Sequence, residues 1–84
     1  MCGEEYIQNK LFEELDAVYV HVEDQSDGCG AKFSITIVSD LFQGKTILHR
    51  HRLVYGALEE ELKKIHAISI TALTPEEHVE KTKN

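Results

Sequence analysis

Apolar residues recur along this chain with two different periods, and the switches between them mark out its elements. Ile7, Leu11 and Leu15 stand four apart with Phe12 beside them, an apolar stripe that predicts a helix over residues 5–15. Val18, Val20 and Val22 then alternate with Tyr19, His21 and Glu23, the period of a strand with one buried face. The turn-forming stretch Asp24-Gln25-Ser26-Asp27-Gly28-Cys29-Gly30 separates this run from a second one, in which Phe33, Ile35 and Ile37 alternate with Ser34 and Thr36. Together they predict a β-hairpin with a long, glycine-rich loop.

Leu41-Phe42-Gln43-Gly44-Lys45 reads as a connection, with Gly44 available for a positive φ angle. Over residues 51–65 the helical period returns: Val54, Leu58, Leu62 and Ile65 share a face that Leu53 and Ala57 widen. Glu59 with Lys63 and Glu60 with Lys64 have the favourable i, i+4 orientation and predict a solvated opposite face, while Gly56 weakens the helix or marks a break in it. Ile68 and Ile70 alternate with Ser69 and Thr71 as a third strand. Thr74-Pro75-Glu76-Glu77 is a capping box with proline at the first helical position, but Val79 is the only aliphatic residue after it, so this last helix is expected to fray.

The order is therefore α-β-β-α-β-α in one α+β domain spanning residues 1–84, with residues 1–4 and 80–84 as frayed ends. A right-handed crossover through the long helix makes the second and third strands parallel. The expected architecture is a three-stranded mixed sheet with helices on one face.

Composition narrows the function. At 84 residues the chain is near the lower size at which one core is stable unaided, and 42% hydrophobic with 29% charged residues is the balance of a globular domain. No apolar run is long enough to span a bilayer, and the acidic start, Met1-Cys2-Gly3-Glu4-Glu5, shows neither a secretory signal nor a transit peptide. Two cysteines make at most one bridge, so reduced thiols in an intracellular compartment are expected, with Cys2 a stray terminal thiol. The net charge of -6 disfavours non-specific phosphate binding.

Candidate chemistry centres on Cys29, between two glycines, and His66, 37 positions later. Parallel strands begin at the same edge of a sheet. Cys29 lies a few residues before the second strand and His66 immediately before the third, so both belong to one rim, whereas His49 and His51 belong to the other. A thiolate and an imidazole suit zinc, copper or an iron-sulfur cluster, yet each of these needs more ligands, and no Cys-x-x-Cys or His-x-x-x-His spacing supplies them. The plain alternative is an incidental loop thiol and a histidine placed against a helix C-terminus.

The stretch from Gly28 to His66, with its Phe-x-Ile-x-Ile-Val-Ser strand ending, Phe42-Gln43-Gly44-Lys45, Arg50-His51-Arg52-Leu53-Val54 and the Glu-Leu-x-x-Ile-His-Ala ending, closely resembles the BolA-like family. Leu73-Thr74-Pro75-Glu76-Glu77 extends the resemblance over nearly the whole chain. The glycine-cysteine loop is similar to the eukaryotic cytosolic and nuclear branch, which implies a class II KH-like fold and a cytoplasmic location that can extend to the nucleus. It implies a partner as well: a monothiol glutaredoxin, with which the family forms a heterodimer bridging a 2Fe-2S cluster. The glutaredoxin cysteine and a bound glutathione would supply two ligands, and Cys29 and His66 match the positions that supply the other two. The isolated protein is then expected to be a monomer without a tightly held cofactor, acting as an adaptor that passes clusters to iron-sulfur acceptor proteins. Tyr55 departs from the family, which usually has asparagine there.

The residues offer two other functions. Lys45, His49, Arg50, His51 and Arg52 form the only dense basic segment, a candidate contact for nucleic acid or for a protein partner. The acidic chain and the lack of a Gly-x-x-Gly loop favour helix capping and solvation over nucleic acid. Thiol chemistry at Cys29 lacks a resolving cysteine, so no enzyme is expected. His21 and His78 read as surface residues, and Tyr6, Phe12 and Tyr19 as packing residues.

Overall fold

The structure is a computed structural model that describes residues 3–26 and 30–81. Its elements run α1 (Glu4–Glu14), β1 (Tyr19–Asp24), β2 (Lys32–Val38), a short 3-10 helix (Asp40–Phe42), α2 (Ile47–Ala57), α3 (Glu59–Leu62), β3 (Ala67–Leu73) and α4 (Pro75–Lys81). β2 is central, antiparallel to β1 and parallel to β3. This is the expected α+β domain with a mixed three-stranded sheet.

Alternation in the strands divides the sheet into two faces. Val20, Ile37 and Ala72 lie side by side in register, as do Val22, Ile35 and Ile70, and these rows face α1 and α2. Ile7 and Leu11 of α1, with Val54 and Leu58 at the end of α2, are fully buried against them. Each such side chain contributes about 1.5–3 kcal/mol by leaving water. Val18, expected to alternate inwards, is instead exposed; its N–H bonds the Val38 carbonyl just before β1 starts.

The intervening rows face away, and not all of them are bare. Tyr19, Val38 and Leu73 form one such row, yet Val38 is fully buried. His78 of α4 stacks on Tyr19 with ring centroids 4.9 Å apart, so α4 covers this end of the outer face while α1 and α2 take the core face. The predicted capping box is formed, Thr74 N–H donating to Glu77 Oε1 at 2.9 Å and Glu77 N–H to Thr74 Oγ1 at 3.2 Å. α4 is therefore anchored by its capping box and by the ring stack while Val79 is exposed, and His78 is half-buried rather than solvated.

The long helix differs from its expected bounds. It starts a turn earlier, because Thr46 accepts a hydrogen bond from His49 N–H and caps it. It breaks at Leu58 rather than continuing, and α3 forms a separate single turn; Gly56 stands two residues before the break. The pairing on its outer side is Lys63 to Glu60 at 3.3 Å, one residue short of the i, i+4 spacing. Phe42, expected in a connection, is fully buried in the core from the 3-10 helix, and Gly44 after it takes φ +73°.

Candidate metal centre

His66 closes the turn from α3 into β3. Its backbone N–H donates to the Ala31 carbonyl at 2.8 Å, and Ala67 N–H reaches the same oxygen at 3.2 Å. Ala31 directly precedes β2, so this shared acceptor ties together the entry points of the two parallel strands. Gly30 comes one residue earlier, at φ +132°, a conformation that side chains other than glycine's hydrogen rarely tolerate. A Cβ on Gly30 would fall 3.1 Å from His66 Cβ and 3.5 Å from Cγ. The missing side chain of Gly30 is thus the space against which the histidine packs.

The imidazole is exposed, and its ring enters no hydrogen bond with a described residue. Cys29 lies outside the described residues; in the chain it is joined to Gly30 by one peptide bond. Among the described residues no three His, Cys, Asp or Glu side chains converge as a metal site. The described residues therefore do not by themselves complete a metal centre on His66, and Cys29 is the further donor that the sequence singles out. The donor set fits a cluster with borderline nitrogen and soft sulfur ligands.

The basic segment does not form one patch. Arg50 is buried: its Nε donates to the Lys45 carbonyl at 3.0 Å, its Nη1 to the Ala72 carbonyl at 3.1 Å and to Glu77 Oε1 at 2.6 Å. Its guanidinium holds α2, β3 and α4 together and is not presented to a partner. Lys45 is half-buried, His51 lies half-buried beside β3, and His49 and Arg52 are exposed on α2. His49 and His51 are on the rim opposite His66, where the parallel order of the strands puts them.

One cluster near the candidate site has no local sequence signal. Glu61 of α3 is buried and accepts hydrogen bonds from Lys10 Nζ on both oxygens at 2.8 Å and from Tyr6 Oη at 2.8 Å. Burial pushes its carboxyl up, but the bonds from Lys10 and Tyr6 outweigh this and hold it below the usual range; the same bond raises Lys10. The Glu61 carbonyl also accepts from Lys64 N–H at 2.9 Å, so this residue fastens to α1 the turn that carries His66. Lys10 and Glu61 are 51 residues apart, and only the folded chain reveals the pair.

A mixed three-stranded sheet with two helices on its core face, and a glycine-histidine contact where its parallel strands begin, defines a small α+β domain whose candidate site lies at a rim rather than in a cleft. The chain belongs to the BolA-like family, whose family model, described as BolA-like protein, matches residues 11–77. It is 45% identical to Protein BOLA2 of Arabidopsis thaliana over 92% of this chain and 84% of that protein. It is also 45% identical to BolA-like protein 2 of Homo sapiens, over 87% of this chain and 86% of the relative. A crystal structure of a bol-like protein from Babesia bovis matches with a TM-score of 0.89 at 38% identity, covering 100% of this chain and 96% of the other. Similarity to the proteins numbered 2 in plant and human places the chain with the eukaryotic branch.

Proposed function

We propose that this protein is a non-catalytic adaptor that shares a bridging 2Fe-2S cluster with a monothiol glutaredoxin, supplying Cys29 and His66 as its half of the ligands. The observation that carries the reading is the packing of Gly30 against His66, which puts the residue joined to Cys29 in contact with the histidine. The exposed imidazole supports a ligand completed from outside, and the donor types suit iron and sulfide. The cluster is cargo here: the partner's cysteine and a glutathione complete it, and this chain contributes a site that closes only on docking.

One imidazole in place of a thiolate removes negative charge from the cluster. This raises its potential and loosens its hold, which favours delivery to acceptor proteins or sensing of iron over storage. The work would be done in the cytoplasm or nucleus. Nucleic-acid binding, the rival reading, has less support because Arg50 is occupied inside the fold.

The test mixes the protein with a monothiol glutaredoxin, glutathione, iron and sulfide and records visible absorption and circular dichroism. The expected spectrum differs from that of the glutaredoxin alone, and Cys29→Ala and His66→Ala each abolish the difference. A spectrum identical to that of glutaredoxin alone, or one indifferent to both substitutions, overturns the reading.

A further inference from the structure

The two edges of the sheet are treated differently. β1 carries His21, Glu23 and Asp24, and its end is covered by α1, whose Glu4 Oε2 accepts the Asp24 N–H at 2.7 Å. Charges and a covering element are how proteins block an edge against further strands. β3, the other edge, reads Ala-Ile-Ser-Ile-Thr-Ala-Leu and has no charged residue.

Hydrogen-bond parity identifies which groups on β3 are open. The Leu73 carbonyl accepts from Ser39 N–H on the β2 side, so Leu73, Thr71 and Ser69 face β2 while Ala72, Ile70 and Ile68 face outwards. Arg50 takes the outward carbonyl of Ala72. Among the described residues no neighbouring strand pairs the outward N–H and C=O of Ile68 and Ile70. Their side chains share rows with the fully packed Phe33 and Ile35 yet stay half-buried, as expected where a row ends without a neighbour. Alongside runs a groove of about 350 Å³ between α2 and the end of α4, lined by Ile47, His51, Ile70 to Leu73, and Lys81.

We propose that the open edge of β3 is a docking surface for an extended, acidic segment of a partner protein, which adds to the sheet as a fourth strand. Main-chain hydrogen bonds to Ile68 and Ile70 supply the pairing, alternate apolar side chains complete the half-covered isoleucine rows, and carboxylates meet His51 and Lys81. The charge argument selects the occupant. Among the described residues the groove lining holds a lysine and a histidine and no carboxylate, in a chain whose net charge is -6. A second copy of this chain would bring β3 itself, which has no acidic side chain to answer them. The groove lies towards the Leu73 end of β3, roughly 13–23 Å along the strand from His66, and the pairing at Ile68 begins two residues from that histidine.

The probes are two blocked heptapeptides, Asp-Val-Thr-Val-Thr-Val-Asp and Lys-Val-Thr-Val-Thr-Val-Lys, titrated into the isotope-labelled full chain and followed by amide chemical shift and hydrogen exchange. The acidic peptide is expected to shift and protect the amides of Ile68 and Ile70, and to bind roughly tenfold or more tightly than the basic one. Lys81→Glu, an exposed change, is expected to erase that preference without altering the spectrum elsewhere. Equal affinity for both peptides, no binding of either, or shifts mapping away from β3 would overturn the proposal. Protection of the same amides by raised protein concentration alone would overturn it too, in favour of self-pairing. The readout involves neither iron nor glutaredoxin, so it is independent of the function proposed above.

Discussion

Gly30 and His66 are in contact at the rim where β2 and β3 begin, so close that a methyl group on Gly30 would meet His66 Cβ at 3.1 Å. Two costs coincide there, a left-handed backbone at φ +132° and a filled space. Gly30→Ala is expected to lower stability by about 1–3 kcal/mol, measured by urea denaturation, and to shift the ring resonances of His66. An alanine variant as stable as the parent, with an unmoved histidine, would show that the contact is not made in solution.

Exchanging the proposed nitrogen ligand should retune the shared cluster rather than abolish it. His66→Cys returns a thiolate to the iron and adds negative charge, so the mixed complex with glutaredoxin is expected to form with a lower reduction potential. A redox titration followed by visible absorption measures this. A potential equal to that of the parent complex would mean that residue 66 does not touch the cluster.

Arg50 and Arg52 are two residues apart and are expected to respond in opposite ways. Arg50→Lys keeps the charge but loses the fork that joins Lys45, Ala72 and Glu77, and should lower Tm by at least the roughly 4–8 °C that one kcal/mol is worth in a domain of this size. Arg52→Glu, on the exposed side of α2, should change Tm by no more than about 2–4 °C. Differential scanning calorimetry distinguishes them, and equal shifts would contradict the buried network.

Phe42 fills the core from a 3-10 turn. Phe42→Ala is expected to cost about 3–5 kcal/mol, the range for a fully buried aromatic ring. A loss below about 1 kcal/mol, by the same denaturation assay, would assign the ring to the surface.

Stability should fall at both ends of the pH scale. Glu61 and Glu77 have folded pKa values below their unfolded ones, Glu77 because Arg50 and then the Thr74 N–H bond its carboxylate. Their contribution is present above the unfolded value, about 4.3, and is lost as pH falls through the folded values. Lys10 is raised, so its share is present below about 10.4 and is lost as pH climbs through its folded value. Glu61→Gln is accordingly expected to be less stable than the parent at neutral pH, with the gap narrowing on acidification. Urea midpoints across the range measure it; a gap that stays constant into strong acid would leave shape, not charge, as its origin.

What could be read in the chain beforehand was whatever repeats locally. The period-two runs gave β1, β2 and β3, the four-residue spacing of Ile7, Leu11 and Leu15 gave α1, and Thr74 with Glu77 gave the start of α4. Strand order alone predicted that Cys29 and His66 share one rim, and the structure brings Gly30, the neighbour of Cys29, against His66. Features that depend on distant partners were not legible: Phe42 is a lone aromatic among turn formers, and Glu61 looks like any surface glutamate until Lys10 and Tyr6 arrive from α1. Arg50 misled for the same reason, since a charged cluster in sequence separates in space when the helix turns one member inwards. Cys29 is legible as a candidate from its place between two glycines, and Gly30 beside it carries the contact with His66.

The parallel pairing of β2 with β3 also sets when the rim comes into being. β1 and β2 can pair through a nearby loop, but His66 reaches Ala31 only after the chain from the 3-10 helix through α3 has been made and has folded back. Closing a loop of that length carries an entropic cost that the β2–β3 ladder must repay. In a nascent chain that has emerged only as far as α2, Gly30 and the Ala31 carbonyl therefore still lack the His66 contacts of the finished fold. The order in which the polypeptide is made thus leaves this rim incomplete until β3 has been synthesised.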